Sequence, residues 1–135
     1  MKITTRSALR LVAALQSFDL LTEAPGGEKT PFKIEGQVRL KMARNISRLQ
    51  EIVQAYQKTR NGFIYTLAEP GQTQVKPENL GEFERQDDAL LSVVNDVELL
   101  RIAESELQLE VNAVPVSTLA ALMPLLEMPA IAIAA

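Results

Sequence analysis

One stretch governs the folding of this chain: residues 37–68 contain neither proline nor a cluster of turn formers. Apolar side chains recur through it at Val38, Met42, Ile46, Leu49, Ile52 or Val53, Tyr56, Phe63 and Leu67. Steps of three, four and seven residues are the spacing of one face of an α-helix. A helix of that extent is about 48 Å long at about 1.5 Å per residue. That exceeds the diameter expected of a compact chain of 135 residues. The helix therefore either breaks near Asn61-Gly62 or projects and packs against a partner. The seam to be covered is Val38, Met42, Ile46, Leu49, Val53, Tyr56 and Phe63. It spans about four heptads, enough for coiled-coil pairing within the chain or between two subunits.

Shorter elements surround this helix. Ala8, Leu11, Leu15 and Phe18 form an apolar stripe at helical spacing, with Thr4 or Thr5 as its cap and an expected end near Thr22. Ala24-Pro25-Gly26-Gly27 cannot continue it. A third helix is expected from a cap at Asn79 to about Asn95, with Leu80, Phe83, Leu90, Leu91 and Val94 inward. A short one, 118–123, is expected after a Ser117 cap and before Pro124. Segments near 2–4, 32–34, 97–102 and 107–111 alternate with period two and are expected to make one small sheet at one end. The fold class is thus α+β and mostly helical: one long helix, shorter helices packed on it, and a small sheet. Residues 1–128 read as a single domain and 129–135, Pro-Ala-Ile-Ala-Ile-Ala-Ala, as an apolar C-terminal arm suited to a β-edge or a neighbouring subunit.

Charge is segregated along the chain. Residues 33–60 carry a balance of +5 and residues 69–110 a balance of −8. Lys41, Arg44 and Arg48 stand at i, i+3, i+7 and form one stripe, with Lys58 and Arg60 farther along. In one reading the basic helix lies beside the acidic third helix and the charges pair. In the other, Lys41, Arg44, Arg48 and Arg60 hold a nucleotide phosphate or another anion, since guanidinium groups fork onto phosphate oxygens. Duplex DNA is not an expected partner: the net charge is −3, no reading motif is present, and no aromatic residues interleave with the basic ones.

The residues that are missing narrow the chemistry. Without cysteine or histidine there is no Ser-His-Asp or Cys-His machinery, no disulfide and no thiolate or imidazole metal ligand. Glu84 and Asp88 are four apart and geometrically able to share a hard cation, but carboxylates at a helix start are favoured by its dipole without any ligand. Tyr56 and Tyr65 fall at or near the seam and read as core. No nucleophile–base pair can be assembled, so no enzyme, no cofactor and no metal are expected.

The N-terminus puts two positive charges before an apolar stretch, but Arg10 interrupts it and no small-residue cleavage site follows. Residues 113–135 hold a single charge, Glu127, yet Pro115, Pro124 and Pro129 interrupt them and no lysine or arginine flanks them. Neither export nor membrane insertion is expected. So apolar a chain end favours an oligomer.

The order of segments resembles a family of small bacteriophage and prophage proteins of unknown function. The residues that carry the likeness are Lys2-Ile3; Phe32-Lys33-Ile34 leading into Ala43-Arg44-Asn45-Ile46; and Val53-Gln54-Ala55-Tyr56-Gln57-Lys58-Thr59-Arg60-Asn61. Val97-Glu98-Leu99 and the closing Pro124-Leu125-Leu126-Glu127 complete it, while 24–29 and the Ala-Ile tail are peculiar to this chain. The resemblance implies a phage origin and no activity, with the virion or the host cytoplasm as location. On it rest two expectations: an oligomeric virion or assembly component or adaptor, or a host-directed accessory protein that inhibits a defence protein or sequesters a signalling nucleotide. The partner is then a second copy, a phage or host protein, or a nucleotide.

Overall fold

The computed structural model describes residues 1–19, 21–23, 29–68 and 70–127; the arm at 129–135 lies outside them. It is mostly helical with short strands, α+β as expected. The elements are β1 (Lys2–Thr4), α1 (Thr5–Gln16), β2 (Leu21–Glu23), β3 (Lys29–Pro31), α2 (Gly36–Leu67), α3 (Leu80–Leu91), β4 (Val94–Asp96) and α4 (Val116–Leu122), with 3-10 turns between. Two compact units contain them: Met1–Leu9 with Leu49–Val97, and Arg10–Arg48 with the described part of Glu98–Ala135.

The long helix forms without a break at Asn61-Gly62 and runs 32 residues. Its start is closed by Glu35, whose carbonyl accepts from the Val38 and Arg39 amides, both at 3.0 Å. At its other end Asn79 Nδ2 donates to the Leu67 carbonyl at 2.9 Å, and Gly71 turns the chain at φ +81°, a conformation that favours glycine. Of the seam, Val38, Met42, Leu49 and Val53 are buried, whereas Ile46, Tyr56 and Phe63 are half-buried. Tyr65 departs from expectation: it is 84% exposed, on the polar side of the helix.

In the first unit α2 and α3 are antiparallel neighbours, as contacts from Tyr56 and Arg60 to Asp87, and from Leu67 to Asn79, show. Asn79 occupies the position before α3 but makes no side-chain capping bond to it; its Nδ2 donates to the end of α2. The helix also stops early. Ser92 bonds back to the Asp88 carbonyl, and the β-branched pair Val93-Val94 leads into β4, which pairs antiparallel with β1. Leu80 and Val94, expected inward, are 46% and 60% exposed, and α3 has no fully buried side chain.

The second unit holds the larger core: Leu11, Leu15, Phe18, Phe32, Ile34, Val38, Met42, Ile102, Leu107, Leu122 and Leu125 are all buried. Phe18 and Phe32 meet edge to face at 5.0 Å. The single sheet expected is replaced by two separate two-stranded ladders, β1–β4 and β2–β3. α1 ends at Gln16, not near Thr22, and the chain enters β2 after a 3-10 turn. Thr4 does cap α1, accepting from the Ser7 amide at 3.1 Å. Residues 32–34 and 97–102 are not named strands: side chains pair the backbone at 33, 98, 100 and 101, as described below, while Ile102 makes an isolated parallel bridge to Leu126 and the Val97 amide donates to the Met1 carbonyl at 2.9 Å. Residues 107–111 are not a strand either: a 3-10 turn, Glu104–Leu107, passes into a tight turn through Gln108 at φ 49°. α4 starts after Pro115, so Ser117 lies inside it and caps nothing.

Candidate functional site

The polar stripe on the first half of α2 meets the returning chain. Arg48 Nη1 donates to the Glu98 carbonyl at 2.8 Å. Asn45, fully buried, donates from Nδ2 to the Leu100 carbonyl at 2.9 Å and accepts from the Leu100 amide at 2.8 Å. Lys41 Nζ reaches the Arg101 carbonyl at 3.0 Å and the Glu106 carboxylate at 2.9 Å. Residues 41, 45 and 48 recur at i, i+4, i+7, one line down the helix. Along that line they satisfy the backbone of 98–101 in reverse order, taking the place of a partner strand.

This places the four anion-binding candidates as follows. Lys41 and Arg48 are engaged with carbonyls and, for Lys41, with Glu106. Arg44 is exposed, and no hydrogen bond or ion pair is seen for it among the described residues. Arg60 belongs to the other unit. The Glu106 carboxyl is held below its usual range, first by the Ala103 amide that donates to it and then by Lys41. Sequence reasoning missed Asn45, whose signal is an amide at the border between the Lys41–Arg48 line and the apolar seam of Met42 and Leu49.

Asn112 repeats the device. It is buried, accepts from the Lys33 amide at 2.8 Å, and donates to the carbonyls of Lys33 and Leu107 at 3.0 and 2.8 Å. It thereby fixes both the extended 32–34 segment and the base of the 108–111 turn.

In the first unit a different group of side chains lies between α2 and α3. The Tyr56 hydroxyl donates to Asp87 at 2.6 Å, and burial together with that carboxylate pushes the phenol up to about 12. Arg60 approaches the same Asp87 oxygen through Nε at 3.6 Å, and its guanidinium lies 5.1 Å over the Phe83 ring. Beyond Arg60 an open cleft of about 350 Å³ is lined by Ile64, Thr73, Gln74, Val75, Leu80 and Phe83. Four of these side chains are apolar, Thr73 and Gln74 are polar, and Arg60 adds one half-exposed cation. Such a cleft can seat apolar side chains beside an anion; it holds no nucleophile–base pair.

Among the described residues no group of three or more acidic side chains is arranged to hold a metal ion, and no helix is long and apolar enough to cross a membrane. Asp87 and Asp88 each face an arginine, Arg60 and Arg6. No protein-family model, no curated protein and no solved structure matches the chain.

Proposed function

We propose that this is a non-enzymatic, phage-encoded protein that acts by protein–protein association, as a small oligomeric virion or assembly component or adaptor, in the virion or the host cytoplasm. The observation that carries the reading is the surface of the first unit. Tyr65, Leu80, Val93 and Val94 are all exposed there, and α3 has no fully buried side chain. Large apolar side chains left exposed at both ends of α3 and on α2 are surface that a protein partner can cover. The open cleft at Arg60 supports the same reading, because it suits side chains offered by a facing surface. The phage origin is supported by the sequence motifs quoted above.

The test is the composition of particles and assembly intermediates purified from producing cells. The protein is expected in one of these fractions at fixed stoichiometry. Its absence from all of them, together with migration as a free chain in the lysate, would overturn the proposal.

A further inference from the structure

We infer that the cleft between α2 and α3 receives the 108–111 turn of a second copy of this chain, with Arg60 of one copy meeting Glu110 of the other. The inference rests on the association reading and names its partner.

The turn has the chemistry the cleft lacks. Leu109, Glu110 and Val111 form an apolar–acidic–apolar triplet that is exposed throughout, with Leu109 at 38% and Val111 at 49%. No ion pair or hydrogen bond is seen for the Glu110 carboxylate among the described residues; the same holds for Glu35, Glu84 and Glu104, but Glu110 stands between two exposed apolar side chains. Across from it, the cleft offers Ile64, Val75, Leu80 and Phe83 for apolar side chains and Arg60 for a carboxylate. Arg60 is 39% exposed; besides its ion pair with Asp87 at 3.6 Å and its interaction with Tyr56, it lines the cleft, where a second carboxylate can approach it.

The turn is also built to be presented. Gln108 adopts φ 49°, and its carbonyl accepts from the Val111 and Asn112 amides at 3.0 and 2.9 Å. Buried Asn112 ties the turn to Lys33 and Leu107. A knob held in this way loses little conformational freedom on docking, which favours binding. Each copy carries both a cleft and a turn, so each can supply either half of the contact.

The experiment is sedimentation equilibrium of the full chain at low salt, with circular dichroism as the check on folding. The wild-type protein is expected to dimerise. Glu110→Arg, on an exposed turn, is expected to weaken dimerisation about tenfold or more. Arg60→Glu is expected to do the same, and combining it with Glu110→Arg to restore the dimer. Because Arg60→Glu also disturbs Asp87, Leu80→Glu at the exposed rim provides a second cleft variant, expected to dissociate the dimer with its helicity intact. A dimer unaffected by Glu110→Arg and Leu80→Glu would overturn this docking mode while leaving association itself standing. A wild-type chain that stays monomeric up to hundreds of micromolar would also overturn it. Association with other proteins would then be decided by the particle analysis above.

Discussion

Replacing Asn45 by alanine removes two hydrogen bonds at once, 2.9 Å to the Leu100 carbonyl and 2.8 Å from the Leu100 amide. Each is worth about 1 kcal/mol net, and each backbone group left unpaired and buried costs about 1–3 kcal/mol more. Asn45 is fully buried, but Leu100 is only half-buried, so water recovers part of that penalty. The two lost bonds alone set a loss of about 2 kcal/mol, and the part of the penalty that water does not recover raises it to about 3 kcal/mol. For a chain of this size it lowers Tm by about 10 °C. Urea unfolding followed at 222 nm gives the free energy, and an unchanged m-value shows that the exposed surface is the same in both proteins. Hydrogen exchange adds a local readout: the Leu100 amide should lose its protection more than the helix around residue 45 does. A loss below about 0.5 kcal/mol, the size of an ordinary surface substitution, would refute the reasoning, because the 98–101 segment would then not depend on the helix for its backbone partners.

Other perturbations test the remaining parts. Gly62 sits in the middle of α2 with nothing within 4 Å of the position a Cβ would take; Gly62→Ala should raise stability by about 0.5–1 kcal/mol, and a fall in Tm would contradict a continuous helix there. The Tyr56 phenol is raised to about 12. Its contribution to stability is present below the ordinary value near 10 and is lost as pH rises through the folded value. In a Tyr65→Phe background the absorbance titration at 295 nm should therefore have its midpoint near 12, and a midpoint near 10 would dissolve the Tyr56–Asp87 bond. Glu106 is depressed, so its contribution is present above the usual carboxylate range and is lost as pH falls through its lowered value. Glu106→Gln should lower Tm at neutral pH and flatten the acid side of the Tm–pH curve; two superimposable curves would be the contrary result.

The parts of this molecule written as periodic apolar patterns were legible in its sequence. The seam from Val38 to Leu67 marked α2 nearly to the residue, since thirty-odd positions of helical spacing have few other solutions. The stripe through Leu11 and Leu15 marked the existence of α1 but not its end, which comes at Gln16 and not near Thr22. The segments 32–34, 97–102 and 107–111 misled because alternation implies a strand only when a second strand completes the ladder. Here Asn112 and Asn45 supply partner groups from side chains, and Ile102 alone of 97–102 makes a bridge, to Leu126; no periodicity announces that. The same holds for the basic stripe. Spacing put Lys41 and Arg48 on one line, but whether that line faces a phosphate or the carbonyls of Glu98 and Arg101 depends on where a segment fifty residues away returns. Asn45 was not read as a structural residue, although an amide bordering the seam, once buried, needs backbone groups to pair with. The cleft at Arg60 was not legible, because it depends on the tertiary approach of Phe83 and Val75 to Ile64.

Native mass spectrometry of the protein as purified from cells, sprayed at low ionic strength, tests association most directly. A discrete multimer, or a defined complex with another protein, is the predicted result, and its stoichiometry would fix how many clefts are filled. A bare monomer across the accessible concentration range, with no protein partner retained, would contradict the central claim.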